Sequence, residues 1–203
     1  MDEKTALRQM EELIKNSRHM RLAAEEWASD FQTLISIILS ARTLDETTIK
    51  VCIELFKDYP TAEILSKASI GEIEKKITLI NFYQNKARYI TECAEKIAGF
   101  YKGEVPYDFE KLIDLPGVGR KTANVFLSQV GKVGLGVDTH VQYISQRLGW
   151  TSQSKPEKIE EELKGLFSRE NWNKVNETLV RFGKTHPSRN EKDRILDEIK
   201  KIK

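Results

Sequence analysis

The stretch LPGVGRKTANVFL, residues 115 to 127, sets an amine directly after a glycine-rich turn. Leu112 and Ile113 close a short helix, which Pro116 breaks. Gly117 and Gly119 allow a tight hairpin with positive φ or close approach of another molecule. A new helix is expected from about Arg120, with Ala123, Val125 or Phe126, and Leu127 facing inward. The hairpin amides and the positive end of that helix would point the same way, which suits an anion such as phosphate. Lys121 within this frame is a solvated charge, a phosphate clamp or a nucleophile. Downstream, GVDTHV places Asp138 just before another helix, THVQYISQRLG. As an N-cap it would contribute about 1 kcal/mol. It is also a carboxylate held at a fixed place.

Several glycine loops compete for this pattern. A Walker A loop needs four residues between its first Gly and Gly-Lys-Ser/Thr, and that spacing is missing. A dinucleotide fingerprint needs a third Gly and a preceding strand, and both are missing. A plain helix-helix turn is the bland alternative. A helix-hairpin-helix that grips a DNA backbone fits every position.

The elements that would carry these residues read as helices almost throughout. ASDFQTLISIILSA has Asp30 as an expected N-cap and is apolar on most sides, the mark of a central buried helix. In LDETTIKVCIELFKDYP, Asp45 is the expected cap and Ile49, Ile53 and Phe56 the expected inner face. Ser69 and Glu72 form a capping-box pair. Ala87, Ile90, Ala94 and Ile97 share one stripe. No β-alternation, repeat or low-complexity tract occurs, so the expected class is all-α with about ten short helices. The glycine-rich segment Gly131–Gly136 is the expected boundary between two lobes.

Composition sets limits. The 203 residues are 32% charged and 39% hydrophobic, with a net charge of +2. That describes an ordinary globular chain whose cations must cluster if it binds nucleic acid. LISIILSA is far too short to cross a bilayer. The charged N-terminus lacks a signal-peptide pattern, so an intracellular, soluble monomer is expected. Cys52 and Cys93 are expected as buried thiols, and three histidines without neighbouring ligands make no zinc site. Trp150 and Trp172 are expected in the core.

From about Phe31 to Gly183 the chain resembles the endonuclease III branch of the helix-hairpin-helix DNA glycosylases. LSARTLD, GEVPYDFEKLIDLPGVGRKTANVFL and VDTHVQYISQRLG carry the resemblance. It implies two helical lobes with a DNA-binding cleft between them. Residues 22–132 would form a six-helix lobe, and residues 1–21 with 133–203 the other. It implies Lys121 and Asp138 as the catalytic pair. Leu115, Gly117, Val118, Gly119, Arg120 and Thr122 would bind DNA through the hairpin. The implied substrate is double-stranded DNA with a damaged base or an abasic site. The implied activity is base excision by a DNA N-glycosylase and AP lyase acting on damaged, oxidised pyrimidines. Lys121 would displace the flipped base, form a Schiff base and lead to β-elimination.

The chain departs from the family at two places. Arg42, in LSARTLD, stands where the family often has Gln filling the gap left by the flipped base. It would contact an opposite guanine through two hydrogen bonds, or only phosphate. Many relatives hold an iron–sulfur cluster on four C-terminal cysteines, and this chain has no cysteine after Cys93. No cluster is therefore expected, and a charged terminal helix is expected to replace it as a packing element. The resemblance also allows a monovalent cation on the hairpin carbonyls. Two other functions compete: a glycosylase for uracil or thymine mismatched with guanine, and a non-catalytic DNA-binding module.

Overall fold

The computed structural model describes residues 1–203 and contains helices but no strand. In chain order the α-helices are α1 (Glu3–Lys15), α2 (Asp30–Ser40), α3 (Asp45–Asp58), α4 (Ala62–Leu65), α5 (Ile70–Lys76) and α6 (Tyr83–Phe100). They continue with α7 (Phe109–Ile113), α8 (Arg120–Gln129), α9 (Thr139–Leu148), α10 (Pro156–Leu166), α11 (Trp172–Thr185) and α12 (Arg189–Lys200). A 3₁₀ turn at Arg169–Asn171 precedes α11. None is long and apolar enough to cross a membrane. The chain divides into two compact units, one of residues 21–132 and one of residues 1–20 with 133–203.

Local sequence explains most helix starts. Ser69 and Glu72 form the expected capping box at α5. At α2, however, the cap is Ser29 and not Asp30; the Ser29 side chain accepts from the Gln32 amide at 3.2 Å. Asp30 is the first helical residue, where its charge complements the helix dipole. Asp45 likewise is not the cap of α3: Leu44 holds the extended cap backbone, and Asp45 opens the first turn.

In the unit of residues 21–132 the core forms around α2, where every side chain from Phe31 to Leu39 is buried. Helices α3, α6 and α8 pack on it. Ala87, Ile90, Ala94 and Ile97 of α6 are all fully buried, as expected. The inner face of α3 is rotated from the expected one. It consists of Thr48, Val51, Cys52, Leu55 and, as expected, Phe56, while Ile49 is half-buried and Ile53 is 42% exposed. Thr48 tolerates burial because its hydroxyl donates to the Leu44 carbonyl at 3.0 Å. Cys52 and Cys93 are fully buried thiols, each pushed by burial up to about 12.

In the other unit, α9 packs against α11 and α12, and α1 against the same two helices. Leu196 and Ile199 are the buried residues of α12, with Arg147–Asp197 as an ion pair at 2.7 Å. Trp150 is buried, as expected, whereas Trp172 is only half-buried; its indole N–H donates to the Phe167 carbonyl at 2.9 Å. The N-terminal helix is tied in by a polar contact inside the core. Gln9 has no exposed surface, accepts from Trp150 Nε1 at 2.6 Å and donates to the Ile202 carbonyl at 3.3 Å.

Replacing Gln9 by Leu keeps the packing volume but strands the Trp150 N–H. The substitution should cost about 1–3 kcal/mol, read as a lower urea midpoint with altered Trp fluorescence.

Candidate active site

The hairpin is built by a turn and one close contact. Asp108 caps α7, accepting from the Lys111 amide at 3.0 Å. After α7, the Val118 amide donates to the Leu115 carbonyl at 3.1 Å, with Pro116 and Gly117 between them. Gly117 has φ +77°. Proline second and a positive-φ glycine third is the pattern of a type II turn. A Cβ on Gly117 would lie 2.9 Å from Tyr89 Cβ and 3.3 Å from Ile38 Cγ2. Glycine is thus required there both for its backbone and for space.

Gly119 differs from the expectation for a strained hairpin glycine. Its backbone is extended, with φ −93° and ψ 175°. Nothing lies within 4 Å of a Cβ built on it. It is the N-cap of α8, and no side chain caps that helix. The first intrahelical bond is Ala123 N to Gly119 O at 3.0 Å, so the amides of the first turn lie ahead of the ladder. An open first turn with a positive dipole end attracts anions.

Lys121 is the second residue of α8 and is half-buried; Thr122 follows, also half-buried. Ala123, Phe126 and Leu127 face the core, and Val125 is only half-buried. Arg120 lays its guanidinium 4.9 Å from the centre of the Phe109 ring. Leu115 and Val118 are buried and anchor the turn, so their contribution to a ligand is limited to backbone groups.

Asp138 belongs to the other unit and does cap α9. Its Oδ1 accepts from the His140 and Val141 amides, both at 2.9 Å. Oδ2 takes part in neither bond. The approach to Asp138 is fixed by two asparagines of α11. Asn173 Oδ1 accepts from the Gly134 amide at 2.9 Å, and the buried Asn176 donates to the Gly136 carbonyl. Gly183 of α11 leaves room for the His140 ring, since a Cβ there would lie 2.2 Å from Nδ1. The His140 ring thus packs against α11 at Gly183.

Arg42 lies on an exposed turn between α2 and α3 with φ +57°, a conformation that costs a non-glycine residue about 1–2 kcal/mol. Its guanidinium sits 5.6 Å from the centre of the Phe82 ring, and Phe82 itself has φ +59°. Three residues here were not anticipated. The Asn81 side-chain amide donates to the Arg42 carbonyl, and its backbone N–H donates to the Thr43 hydroxyl at 3.2 Å. Phe82 is 58% exposed. Lys86 is 6% exposed, and burial pushes its ammonium down to about 8. Lys86 had a sequence signal: helical spacing puts it on one stripe with Ile90, Cys93 and Ile97, a cation on a buried face.

The family model of the HhH-GPD superfamily base excision DNA repair protein matches residues 35–169. The chain belongs to that superfamily. It is 44% identical over 156 residues to the endonuclease III of Thermotoga maritima, covering 76% of this chain and 73% of that one. It is 39% identical over 161 residues to the endonuclease III of Synechocystis, covering 78% and 74% respectively. A trapped endonuclease III–DNA covalent intermediate, an estranged-adenine complex, superposes with a TM-score of 0.84 at 33% identity. That superposition covers 93% of this chain and 89% of the other.

The two hairpin glycines should separate in denaturation. Gly117→Ala should lose about 1–3 kcal/mol. Gly119→Ser should be neutral or gain a few tenths of a kcal/mol, because serine supplies the missing cap. Urea midpoints of the two variants check this.

Proposed function

We propose that this superfamily member is a DNA glycosylase with associated AP lyase activity, acting on damaged bases in duplex DNA. The observation that carries the reading is Lys121 in the uncapped first turn of α8, in a chain with endonuclease III relatives at 44% and 39% identity. Open amides suit a DNA phosphate, and an amine one residue into the helix suits attack beside it. Leu115, Gly117, Val118 and Gly119 offer their backbone to the strand, with Arg120 and Thr122 alongside.

The target nucleotide leaves the stack. Neutral Lys121 Nζ attacks the sugar C1′, and the glycosidic bond breaks with its electron pair and a proton going to the base. Opening of the sugar ring and loss of the amine proton give an imine. The imine acidifies C2′; removal of that proton expels the 3′ phosphate by β-elimination. Water then hydrolyses the imine and frees Lys121. Asp138 is the carboxylate that assists proton removal and balances positive charge developing on the sugar. Anchoring through Oδ1 alone leaves Oδ2 for that task.

Oxidised pyrimidines are the proposed lesions. A second reading, excision of uracil or thymine opposite guanine, draws on the exposed Arg42, whose guanidinium matches two acceptors of guanine. The donor set does not fit an iron–sulfur cluster: the only two cysteines are buried in α3 and α6, and none follows Cys93. We therefore assign no cluster to this chain. A monovalent cation would add positive charge beside a bound phosphate. The turn at 115–119 has only backbone carbonyls for it, and no step is assigned to it. A monomer suffices for this chemistry.

Borohydride trapping on a duplex with an abasic site tests the reading. The wild type should give a covalent adduct and Lys121→Ala none. Asp138→Asn should fold as well as wild type, since Asn caps equally, yet trap roughly 10²-fold more slowly. Gly119→Ser should weaken DNA binding despite its intact stability. A wild type that binds duplex without trapping would overturn the lyase assignment, leaving base release to separate a monofunctional glycosylase from a silent binding module.

A further inference from the structure

A buried ammonium needs a reason, and Lys86 has an unusual set of partners. Its Nζ donates to the Leu39 carbonyl at 2.7 Å, to the Ala41 carbonyl at 2.5 Å and to Thr43 Oγ1 at 3.5 Å. All three are neutral oxygens at or just beyond the C-terminus of α2. The orphan carbonyls and the negative dipole end of that helix compensate the charge. The same lysine is the fourth residue of α6, whose N-cap is Phe82. One side chain thus ties the turn carrying Arg42 to the turn carrying Phe82. Asn81 ties them a second time, through the Arg42 carbonyl and the Thr43 hydroxyl.

What these ties hold is strained and exposed. Arg42 and Phe82 both take left-handed backbone, and strain of that kind persists only where the surroundings over-determine it. The cation lies over the ring, and beside them in sequence Leu44 is 72% and Leu79 70% exposed. A planar cation and an aromatic ring are the groups that stack with bases and donate to their edges. A nucleotide drawn from a duplex leaves its partner base unpaired, and such a pair of side chains suits that base.

We infer that Lys86 is a positioning residue for opposite-strand reading: its ammonium locks the Arg42 and Phe82 turns into one preformed probe for the base facing the excised one. The inference rests on the glycosylase and lyase reading above. Lys86 touches no substrate; it acts through Arg42.

The test is trapping with Lys86→Met, Arg42→Ala and the double variant. Each is run on an abasic site opposite each of the four bases and on a single-stranded abasic oligonucleotide, which offers no opposite base. Relative to single strand, duplex trapping by Lys86→Met should fall by about tenfold, a modest loss for misplaced contacts. Its opposite-base preference should collapse to that of Arg42→Ala, with the double variant no worse than either single. A Lys86→Met protein that is folded by circular dichroism and keeps the wild-type ratios overturns the inference. So does a wild type indifferent to the opposite base. Should Lys86→Met fail to fold, Asn81→Ala, an exposed substitution that releases the Arg42 carbonyl, must show the same collapse; wild-type ratios there overturn the inference. A wild type that traps on neither substrate overturns the lyase reading and this inference with it.

Discussion

A helix that begins without a side-chain cap keeps its first amides available, and α8 begins on Gly119. That choice has meaning only if the helix start is held still by something else. The something else is the Leu115–Val118 turn, wedged at Gly117 between Tyr89 and Ile38. Tyr89 belongs to α6 and Ile38 to α2, the helix at the centre of the core. The rigidity of this turn is thus borrowed from side chains of helices distant in sequence. Cap energy of up to about 1 kcal/mol is forgone at α8, a small fraction of what burying α2 on all sides supplies.

The same division of labour recurs wherever a loop carries a candidate functional group. Polar side chains from neighbouring elements hold the backbone of the loop in place. Asn173 and Asn176 do this for the segment leading to Asp138. Lys86 and Asn81 do it for Arg42. Lys86 and Asn176 are buried and Asn173 is half-buried, and each is paired with a backbone oxygen or amide, so its burial carries no penalty of an unpaired polar atom.

The helical class, the hairpin, the capping box at Ser69 and the cap at Asp138 were legible because short-range chemistry determines them. Proline at 116 and glycine at 117 encode a turn wherever they occur in such a sequence. The face of α3 was legible only in part, because apolar residues mark a tendency and not an address: Phe56 is buried as expected, but Ile53 remains in solvent while Thr48 goes inside on the strength of one hydroxyl bond. The caps at Ser29 and Leu44 lay one residue earlier than expected because an acidic residue serves nearly as well in the first turn as at the cap. The left-handed backbone of Arg42 was illegible altogether. Its partners lie about forty positions downstream, and no local pattern records them.

The two cysteines carry a consequence for the conditions in which such a protein works. Sulfur reacts as thiolate, at sites open to solvent. Cys52 and Cys93 are fully buried, and at about 12 their thiols stay protonated in any cell. Peroxide and electrophiles, the agents that injure bases, meet no sulfur nucleophile on this protein's cysteines. The terminal helix α12 is secured by Leu196 and Ile199, and apolar contact is indifferent to oxidants and chelators alike. The chemical insult that creates work for a repair protein leaves the cysteines and the terminal packing of this one untouched.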